Sequence, residues 1–540
     1  MERLDGVAVQ AWAQAAAIAL EAARGSIDSL NVFPVADGDT GTNLYLTIAQ
    51  GADEVAALGP DATALDAMRT LAHGALVGAR GNSGVIASQF LLGLARGFDD
   101  ATGPDAAVFA RALDEAQRAA RAVVARPVEG TILTVATAAA TAARGAVQVG
   151  GDLAAVTVAA LRGAREALAR TPDELAVLRA AGVVDAGATG LVVMLEALVG
   201  VVTGRPAPGI VPIAARTVVR SGAGLAEPFA EGQFEVMFLV ESAAGDLAPE
   251  LSRRLQALGE SVAVVGGSGV WQAHVHTDDP AAAVAAGELG TQRQITVRHL
   301  RPLAVEKSVP NPAAGEPRSP AAGRLGLVVG TRAPALIREL ARAGAVVMVL
   351  TGAPASAASV LRAVVDAGAA QVVVLPGSPA AHQAALAAAD GLAGGPAPAA
   401  GSGRPTVRMH VLEAVDDVRV VAGLAAAVAG QSAARAPIGT STRSTADAGA
   451  VVAAELEAIR GAVAAVRTAE IEVWDAVVAR RVADDLLAAG GDVLTMLRGA
   501  GVGDAMTASL LEHLASAYPG LEVVVLEGGQ ATPAFALAVE

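Results

Sequence analysis

The chain contains no cysteine and only one lysine, Lys307, among 540 residues. A single lysine outside any G-x-x-x-x-G-K-[ST] context excludes the lysine-dependent phosphate loop, so a nucleotide site here would need other donors. The first residues also lack the basic and apolar segments of a signal peptide. Together with the absence of cysteine, this predicts a cytoplasmic protein.

Positive charge, aromatic residues and long apolar runs are scarce as well. The formal net charge is −15 and the pI is near 5.0, which argues against a nucleic-acid partner. The mean hydropathy is +0.49, but the apolar stretches are rich in Ala and Gly. Charges, Gly or Pro interrupt them before the ~20 residues that a spanning helix needs, so we expect no integral membrane segment.

The length suggests about three or four domains. Over 1–204, apolar residues recur at three- and four-residue spacing and strand signals are nearly absent, which predicts an all-α domain. A turn-rich segment at 203–209 ends this pattern.

Two further units follow. Residues 225–305 read as a small α+β domain, and residues 306–323 have the Pro, Gly and Ser content of a linker. Residues 324–540 alternate strand-like and helical stretches, which predicts a parallel sheet with helices on both faces. The strands predicted in the middle unit are Phe234–Val240, Val262–Val265 and Trp271–His276.

The segment 37–43, DGDTGTN, is the most informative part of the chain. Gly38 and Gly41 allow a turn that brings the carboxylates of Asp37 and Asp39 toward one point, ahead of a helical pattern. Hard oxygen ligands beside the amides of a helix N-terminus suit a magnesium–nucleotide phosphate. Ordinary Asp/Gly turn formation with helix capping is the alternative.

Three more glycine-containing segments precede helical patterns, at 78–84, 127–131 and 185–190. In the first, backbone and hydroxyl donors of residues 81–83 could bind phosphate. Arg80 could neutralise charge on a transferred phosphoryl group. Each segment alone fits helix capping, but four such helix starts in one region favour a nucleotide site.

These segments resemble the fatty acid kinase catalytic-subunit family, within the proteins that carry the L-type nucleotide-binding domain of dihydroxyacetone kinases. The resemblance runs through NVFPVADGDTGTN, GARGNSGVIASQ, EGTILTV and the segment 185–190. It implies a helical barrel with ATP at its mouth and two magnesium ions held by Asp37 and Asp39, with Asn31 near a third ligand position. The residues that it places around the nucleotide are Thr40, Gly41, Thr42, Asn43, Gly81, Asn82, Ser83, Gly84, Asp185, Gly187 and Ala188.

In the middle unit, the HVHT segment also matches this family. His274 and His276 are two apart on a predicted strand, so both imidazoles face one side and could reach one zinc ion. The family has a cysteine as a third ligand on a neighbouring strand, and Glu235 holds that place here. Two half-exposed histidines on an edge strand are the alternative interpretation.

The leading hypothesis for function is an ATP-dependent kinase subunit that phosphorylates the carboxylate of a fatty acid to give an acyl phosphate. The resemblance implies that a separate DegV-like protein presents the fatty acid, and that a C-terminal DegV-like α/β domain docks this partner. The Ala-rich helical surface would also allow a homodimer. A glycerone-type kinase of small hydroxyl substrates and a non-catalytic ATP-binding scaffold are the alternatives.

Overall fold

The structure is a computed structural model that describes residues 2–98, 103–124, 126–205, 232–243, 245–267, 269–300, 325–394, 407–434 and 445–540. The linker predicted over 306–323 and the predicted start of the middle unit at 225 lie outside these residues.

The first region is all-helical, as predicted. Its helices are α1 (Gly6–Leu30), α2 (Thr40–Ala56), α3 (Ala64–Gly78), α4 (Gly81–Gly97), α5 (Ala106–Ala122), α6 (Ile132–Gln148), α7 (Leu153–Glu174), α8 (Ala176–Ala181) and α9 (Ala186–Thr203). From α1 to α7 each helix packs on the next, α7 packs on α9, and α9 returns to α1, so the contacts close a ring. Because the chain runs up and down around this ring, α2, α4, α6 and α9 begin at the same end.

Helix α9 is the one helix of the described residues that is long and apolar enough to cross a membrane by length and composition. However, 78% of its length is buried inside the protein. It contacts α1, α2, α6 and α7. A helix that packs on several sides is apolar all round, so this burial accounts for its composition.

The second part is built on an eight-stranded sheet. Its strands are β1 (Phe234–Glu241), β2 (Gly259–Gly267), β3 (Val270–Thr277), β4 (Thr291–His299), β5 (Leu325–Thr331), β6 (Val346–Val349), β7 (Gln371–Leu375) and β8 (Arg408–Val411). The helices of this part are α10 (Ala248–Gln256), α11 (Pro280–Ala286), α12 (Ile337–Arg342), α13 (Ala357–Asp366), α14 (Pro379–Gly394), α15 (Asp417–Ala434) and α16 (Thr445–Ala465).

The strand order is β2-β3-β1-β4-β6-β5-β7-β8. Strands β5 to β8 pair in parallel, as the alternating pattern predicts, whereas β1 to β4 pair antiparallel. Strand β4 joins the two halves by pairing antiparallel with β6. The strands of the predicted middle unit therefore continue into the sheet of the C-terminal unit.

A second, four-stranded sheet lies near the C-terminus. It contains β9 (Arg467–Ile471), β10 (Val493–Arg498), β11 (Glu522–Glu527) and β12 (Phe535–Val539), with α17 (Ala476–Leu487) and α18 (Asp504–Ala517) between them. The order is β11-β10-β12-β9, with β10 and β11 parallel and the other pairs antiparallel.

The helical region contacts the large sheet at the loop before α4. Leu76, Ala79 and Val85 form a small apolar cluster with two residues of β2. Gln272 of β3 donates to the carbonyl of Ala79 at 2.8 Å. Arg362 of α13 donates to the carbonyls of residues 77 and 79, both at 2.7 Å. Both the middle and the C-terminal parts therefore fix this loop.

Candidate functional site

The turn at 37–39 presents its two carboxylates as the sequence predicts. Gly38 has φ +71°, a conformation that favours glycine. Asn31, the residue after α1, donates from Nδ2 to Asp37 Oδ1 at 2.6 Å. Asn43, in the first turn of α2, donates from Nδ2 to Asp39 Oδ1 at 2.9 Å. The structure thus brings Asn31, Asp37 and Asp39 together.

These three residues provide oxygen atoms suited to a divalent cation. Asn31 is 5% exposed, and its Oδ1 is buried without a hydrogen-bond partner among the described residues. Burial and the neighbouring Asp39 carboxylate raise the pKa of Asp37 to about 8. A buried carbonyl oxygen without a partner and two carboxylates that repel one another would both be relieved by a hard cation such as Mg²⁺.

The first turn of α2 differs from its predicted role. The amide of Thr42 donates to Asp28 Oδ1 at 3.0 Å, and the Thr42 hydroxyl donates to Asp28 Oδ2 at 2.8 Å. A carboxylate of α1 therefore takes the place at this helix N-terminus that was predicted for phosphate. Burial raises the pKa of Asp28, while these hydrogen bonds lower it.

The N-terminus of α4 carries no such carboxylate in its cap. Its N-cap residue is Arg80, which makes no side-chain capping bond. By contrast, six helices of the described helical region have an Asp or Thr side chain as their N-cap acceptor, namely α1, α3, α5, α6, α7 and α9. The amides of residues 81–83 are the first-turn donors of α4, so they can bind an anion there.

This helix start lies directly beside α2. The amide of Arg80 donates to Thr47 Oγ1 at 3.2 Å. Gly81 has φ +55°, and a Cβ at this position would lie 2.5 Å from Asn43 Nδ2. A Cβ on Gly84 would lie 2.3 Å from Thr47 Oγ1. Glycine is therefore required for the α4 terminus to approach the Asp37–Asp39 turn.

The side chain of Arg80 does not take the position predicted for it. Its Nε contacts Asp366 Oδ1 of α13 at 2.5 Å, and its Nη1 donates to the carbonyl of Gly78 at 2.8 Å. The guanidinium predicted to face the transferred phosphoryl group is instead part of the junction with the C-terminal part. The difference arises because α13 packs against the loop and places Asp366 beside Arg80, and no local sequence pattern indicates this packing.

The start of α9 is held by Asp185, which is buried. Its Oδ2 accepts from the amide of Ala188 at 2.7 Å, and it also accepts from the amide of Ile132 at the start of α6. Burial raises the pKa of Asp185 to about 6. In the structure Asp185 caps one helix and ties it to another. Its predicted proximity to the nucleoside, with Gly187 and Ala188, stays a prediction.

A row of polar side chains crosses three strands of the large sheet. Glu235 on β1 is paired with His276 on β3 and with Arg298 on β4. His274 lies two residues from His276 on the same face. The Nε2 atoms of His274 and His276 lie 3.0 and 4.0 Å from Glu235 Oε1. All three of the predicted zinc ligands are buried together, so the edge-strand alternative is wrong.

The protonation of His274 favours a cation between it and Glu235. Its Nδ1 lies 3.2 Å from the carbonyl of Ser261, which can only accept, so Nδ1 carries the proton. Ser261 has φ +51° at an irregularity of β2 that directs this carbonyl. Burial lowers the pKa of His274, which disfavours a second proton on Nε2. A neutral Nε2 facing a carboxylate oxygen is the arrangement of a metal ligand with its supporting hydrogen bond.

Arg298 joins the two clusters, and no sequence pattern singled it out. Its Nη2 contacts Asp39 Oδ2 at 2.5 Å, and its Nε contacts Glu235 Oε2. Although burial raises the pKa of Glu235, the Arg298 guanidinium holds that pKa well below its usual range. The alternation of Ile295 and Val297 in 291–299 could have predicted a strand that contains Arg298. This pattern is weak because the other residues of the segment are mostly polar.

Comparison with known families gives three matches in order along the chain. The DAK2 domain family matches residues 34–200, which contain the Asp37–Asp39 turn and the α4 and α9 starts. The FakA-like middle domain family, named after fatty acid kinase, matches residues 231–306, which contain Glu235, His274, His276 and Arg298. The FakA-like C-terminal family matches residues 472–540.

Individual relatives match about half of the chain. Protein YloV of Bacillus subtilis is 33% identical over 287 residues, covering 51% of this chain and 52% of that protein. An uncharacterized protein of Staphylococcus epidermidis is 34% identical over 286 residues, covering 51% of each. The chain thus spans about half the length of the curated relatives it matches.

Among solved structures, the dihydroxyacetone kinase from C. freundii in complex with AMP-PNP and Mg²⁺ covers 35% of this chain and 32% of its own. The TM-score is 0.26 and the identity 21%. The family assignment rests on the three ordered matches. The chain is a FakA-like protein, with an N-terminal DAK2 domain followed by FakA-like middle and C-terminal domains.

Proposed function

We propose that this chain is an ATP-dependent kinase subunit that phosphorylates the carboxylate of a fatty acid, which a separate DegV-like protein presents to it. The observation that carries the proposal is the juxtaposition of the Asp37–Asp39 turn, the partnerless Asn31 Oδ1 and the α4 N-terminus among the described residues. Oxygen ligands for metal and amide donors for phosphate are the two requirements of a metal–nucleotide site.

In this proposal Asp37, Asp39 and Asn31 hold magnesium, with two ions expected from the resemblance. When bound, Mg²⁺ neutralises charge on the β- and γ-phosphates of ATP. The amides of residues 81–83 bind phosphate oxygens, with the Ser83 hydroxyl and the Asn82 side chain as further donors. Asp28 orients Thr42, so that Thr40–Asn43 keep Asn43 on Asp39.

A carboxylate acceptor needs no general base. An ionised carboxylate attacks the γ-phosphorus as the bond to the ADP oxygen breaks, and ADP leaves with that electron pair, so no proton moves. His73, the one histidine of residues 1–204, is exposed on α3 beside Glu54. A hydroxyl acceptor would need a base, as protein kinases supply with an Asp.

We assign Glu235, His274 and His276 to a zinc ion. Their donor atoms lie within 4.8 Å of one another, which suits tetrahedral ligation with one further ligand. The C-terminal α/β region, DegV-like by resemblance, is proposed to dock the fatty-acid-binding partner. The proposal also includes a cytoplasmic location and a homodimer as the assembly.

The test is to mix the purified chain with Mg²⁺, ATP and a fatty-acid-loaded DegV-like partner, and to trap the acyl phosphate with hydroxylamine. We expect turnover by the wild type, and losses of at least about 100-fold in Asp37→Asn and Asp39→Asn. Asp61→Asn is the control, because Asp61 is exposed between α2 and α3. Zinc content of His274→Ala and His276→Ala, by elemental analysis, tests the second site.

The alternatives give different results in the same assay. ATP consumption driven by a free triose, without the partner, would indicate a kinase of small hydroxyl substrates. ATP binding without transfer to any acceptor would indicate a scaffold. Either result excludes the fatty acid proposal.

A further inference from the structure

The Arg298 side chain lies between the two clusters, with two nitrogens of its guanidinium on different carboxylates. Its Nε contacts Glu235 Oε2 on the neighbouring strand, and its Nη2 contacts Asp39 Oδ2 of the helical region. The Arg298 side chain is 27% exposed and that of Glu235 is 6% exposed. Nε is therefore anchored within the sheet, and Nη2 is presented to the Asp37–Asp39 turn.

The position of Arg298 Nη2 is the informative feature. A magnesium ion holds its oxygen ligands at about 2.1 Å, so a carboxylate oxygen and a phosphate oxygen on one ion are immediate neighbours. A donor within hydrogen-bond distance of Asp39 Oδ2 is then also close to the phosphate of a metal-bound nucleotide. An arginine fork in that position suits a phosphoryl group, which spreads charge over several oxygens.

We propose that Arg298 is a catalytic residue of the phosphoryl transfer, whose Nη2 donates to the transferred phosphoryl group while Glu235 positions the guanidinium through Nε. This inference rests on the proposed function and gives to the middle domain the cationic role that the sequence predicted for Arg80. Glu235 then has two roles, with Oε1 facing the histidines and Oε2 facing Arg298. The phosphoryl site is therefore completed only when the middle domain packs on the helical region.

The contacts of Arg80 support this assignment. Arg80 is 9% exposed, and its guanidinium donates to Asp366 and to the carbonyl of Gly78. Arg298, by contrast, contacts a predicted metal ligand directly. Permanent charge is also secured, because an arginine guanidinium stays protonated at physiological pH.

The experiment compares wild type with Arg298→Gln, Arg298→Lys and the control Arg293→Gln. Arg293 lies on the same strand, where it pairs with Glu241 and is 49% exposed. Four quantities are measured: kcat and the KM for ATP in the acyl phosphate assay, affinity for AMP-PNP with Mn²⁺, and affinity for Mn²⁺ alone by electron paramagnetic resonance. Guanidinium ion is added to Arg298→Ala to test chemical rescue of kcat.

We expect Arg298→Gln to lower kcat at least about 100-fold, as removal of a preorganised charged donor does, with a smaller rise in the KM for ATP. Arg298→Lys should be intermediate, since it keeps the charge but not the fork. Guanidinium should restore part of the activity of Arg298→Ala. Affinity for Mn²⁺ alone should rise about tenfold in Arg298→Gln, because a cation beside Asp39 has been removed.

The inference is overturned if Arg298→Gln keeps kcat within about threefold of wild type, or if its affinity for Mn²⁺ alone is unchanged. Should Arg298→Gln fail to fold, the lysine variant and Glu235→Gln/Arg298→Gln, which removes both charges, are measured in its place. If the wild type forms no acyl phosphate, the proposed acceptor is wrong. The Mn²⁺ and AMP-PNP measurements then still decide the role of Arg298.

Discussion

Replacing Gly81 by Ala tests the geometry of the candidate site most sharply. Gly81 opens α4 with φ +55°, and its Cβ would lie 2.5 Å from Asn43 Nδ2. Asn43 Nδ2 in turn donates to Asp39 Oδ1 at 2.9 Å. The added methyl group must therefore either displace the Asn43 side chain from Asp39 or push the α4 terminus away from α2.

The expected magnitude follows from two terms. A left-handed conformation costs an L-residue about 1–2 kcal/mol, which lowers the free energy of unfolding. Loss of a hydrogen bond to a charged group costs about 1.5–3 kcal/mol, and here this cost falls on the orientation of Asp39, a proposed metal ligand. We thus expect AMP-PNP affinity in the presence of Mg²⁺ to fall about 10- to 100-fold, with only a modest loss of thermal stability.

The assay is isothermal titration with AMP-PNP and Mg²⁺, paired with thermal unfolding of the full chain. Gly25→Ala is the matched control, since a Cβ there meets nothing within 4 Å and Gly25 lies inside α1. It should bind nucleotide as wild type does and be stabilised by about 0.5–1 kcal/mol. Wild-type affinity in Gly81→Ala would show that this loop takes no part in nucleotide binding.

Three other predictions follow from buried charges. Burial raises the pKa of the Asp185 carboxyl to about 6, so the folded protein binds this proton more tightly than the unfolded chain does. The free energy of unfolding should therefore fall by about 3 kcal/mol as the pH rises from about 4 to 6. Asp185→Asn should lose this pH dependence, and equal pH dependence in wild type and variant would contradict the prediction. Glu235→Gln should lower the free energy of unfolding by about 3–5 kcal/mol, because it leaves the buried charge of Arg298 without its partner, and Glu235→Gln/Arg298→Gln should recover part of this loss. If denaturant titration shows that the free-energy changes of the two single variants simply add in the double variant, the two residues do not form a stabilising ion pair. Arg362→Gln should raise hydrogen exchange at residues 81–84 more than about tenfold, because two bonds to the preceding loop are lost; unchanged exchange would mean that α13 does not hold the loop.

Local patterns were sufficient for much of the fold. The helices of the first region follow from three- and four-residue apolar spacing, and the parallel strands β5 to β8 follow from buried valine-rich runs between helices. Strand β4 could not be found this way, because polar residues occupy most of its positions and cross-strand partners stabilise it. The continuity of the large sheet is a long-range property that no local run encodes.

In the candidate site, too, local features could be predicted from the sequence and long-range contacts could not. Asp37, Asp39 and Asn31 lie close together because one short segment carries them, and glycine requirements reveal the turn. Arg80 contacts Asp366 away from its predicted position, and Arg298 contacts Asp39 without having been predicted, because tertiary packing decides where a long side chain reaches. The approach of His274 to Glu235 depends on strand register, which the sequence indicates only after the strand pairing is known.

The most direct measurement of the central idea is the affinity for AMP-PNP in the presence of Mg²⁺ for wild type and for Asp37→Asn/Asp39→Asn, with Asp61→Asn as the control. We predict that the double variant loses at least about 100-fold in affinity, because both carboxylate ligands of the metal lose their charge. The control should bind as wild type does. Affinity of the double variant within about threefold of wild type would contradict the assignment of this turn as the metal–nucleotide site.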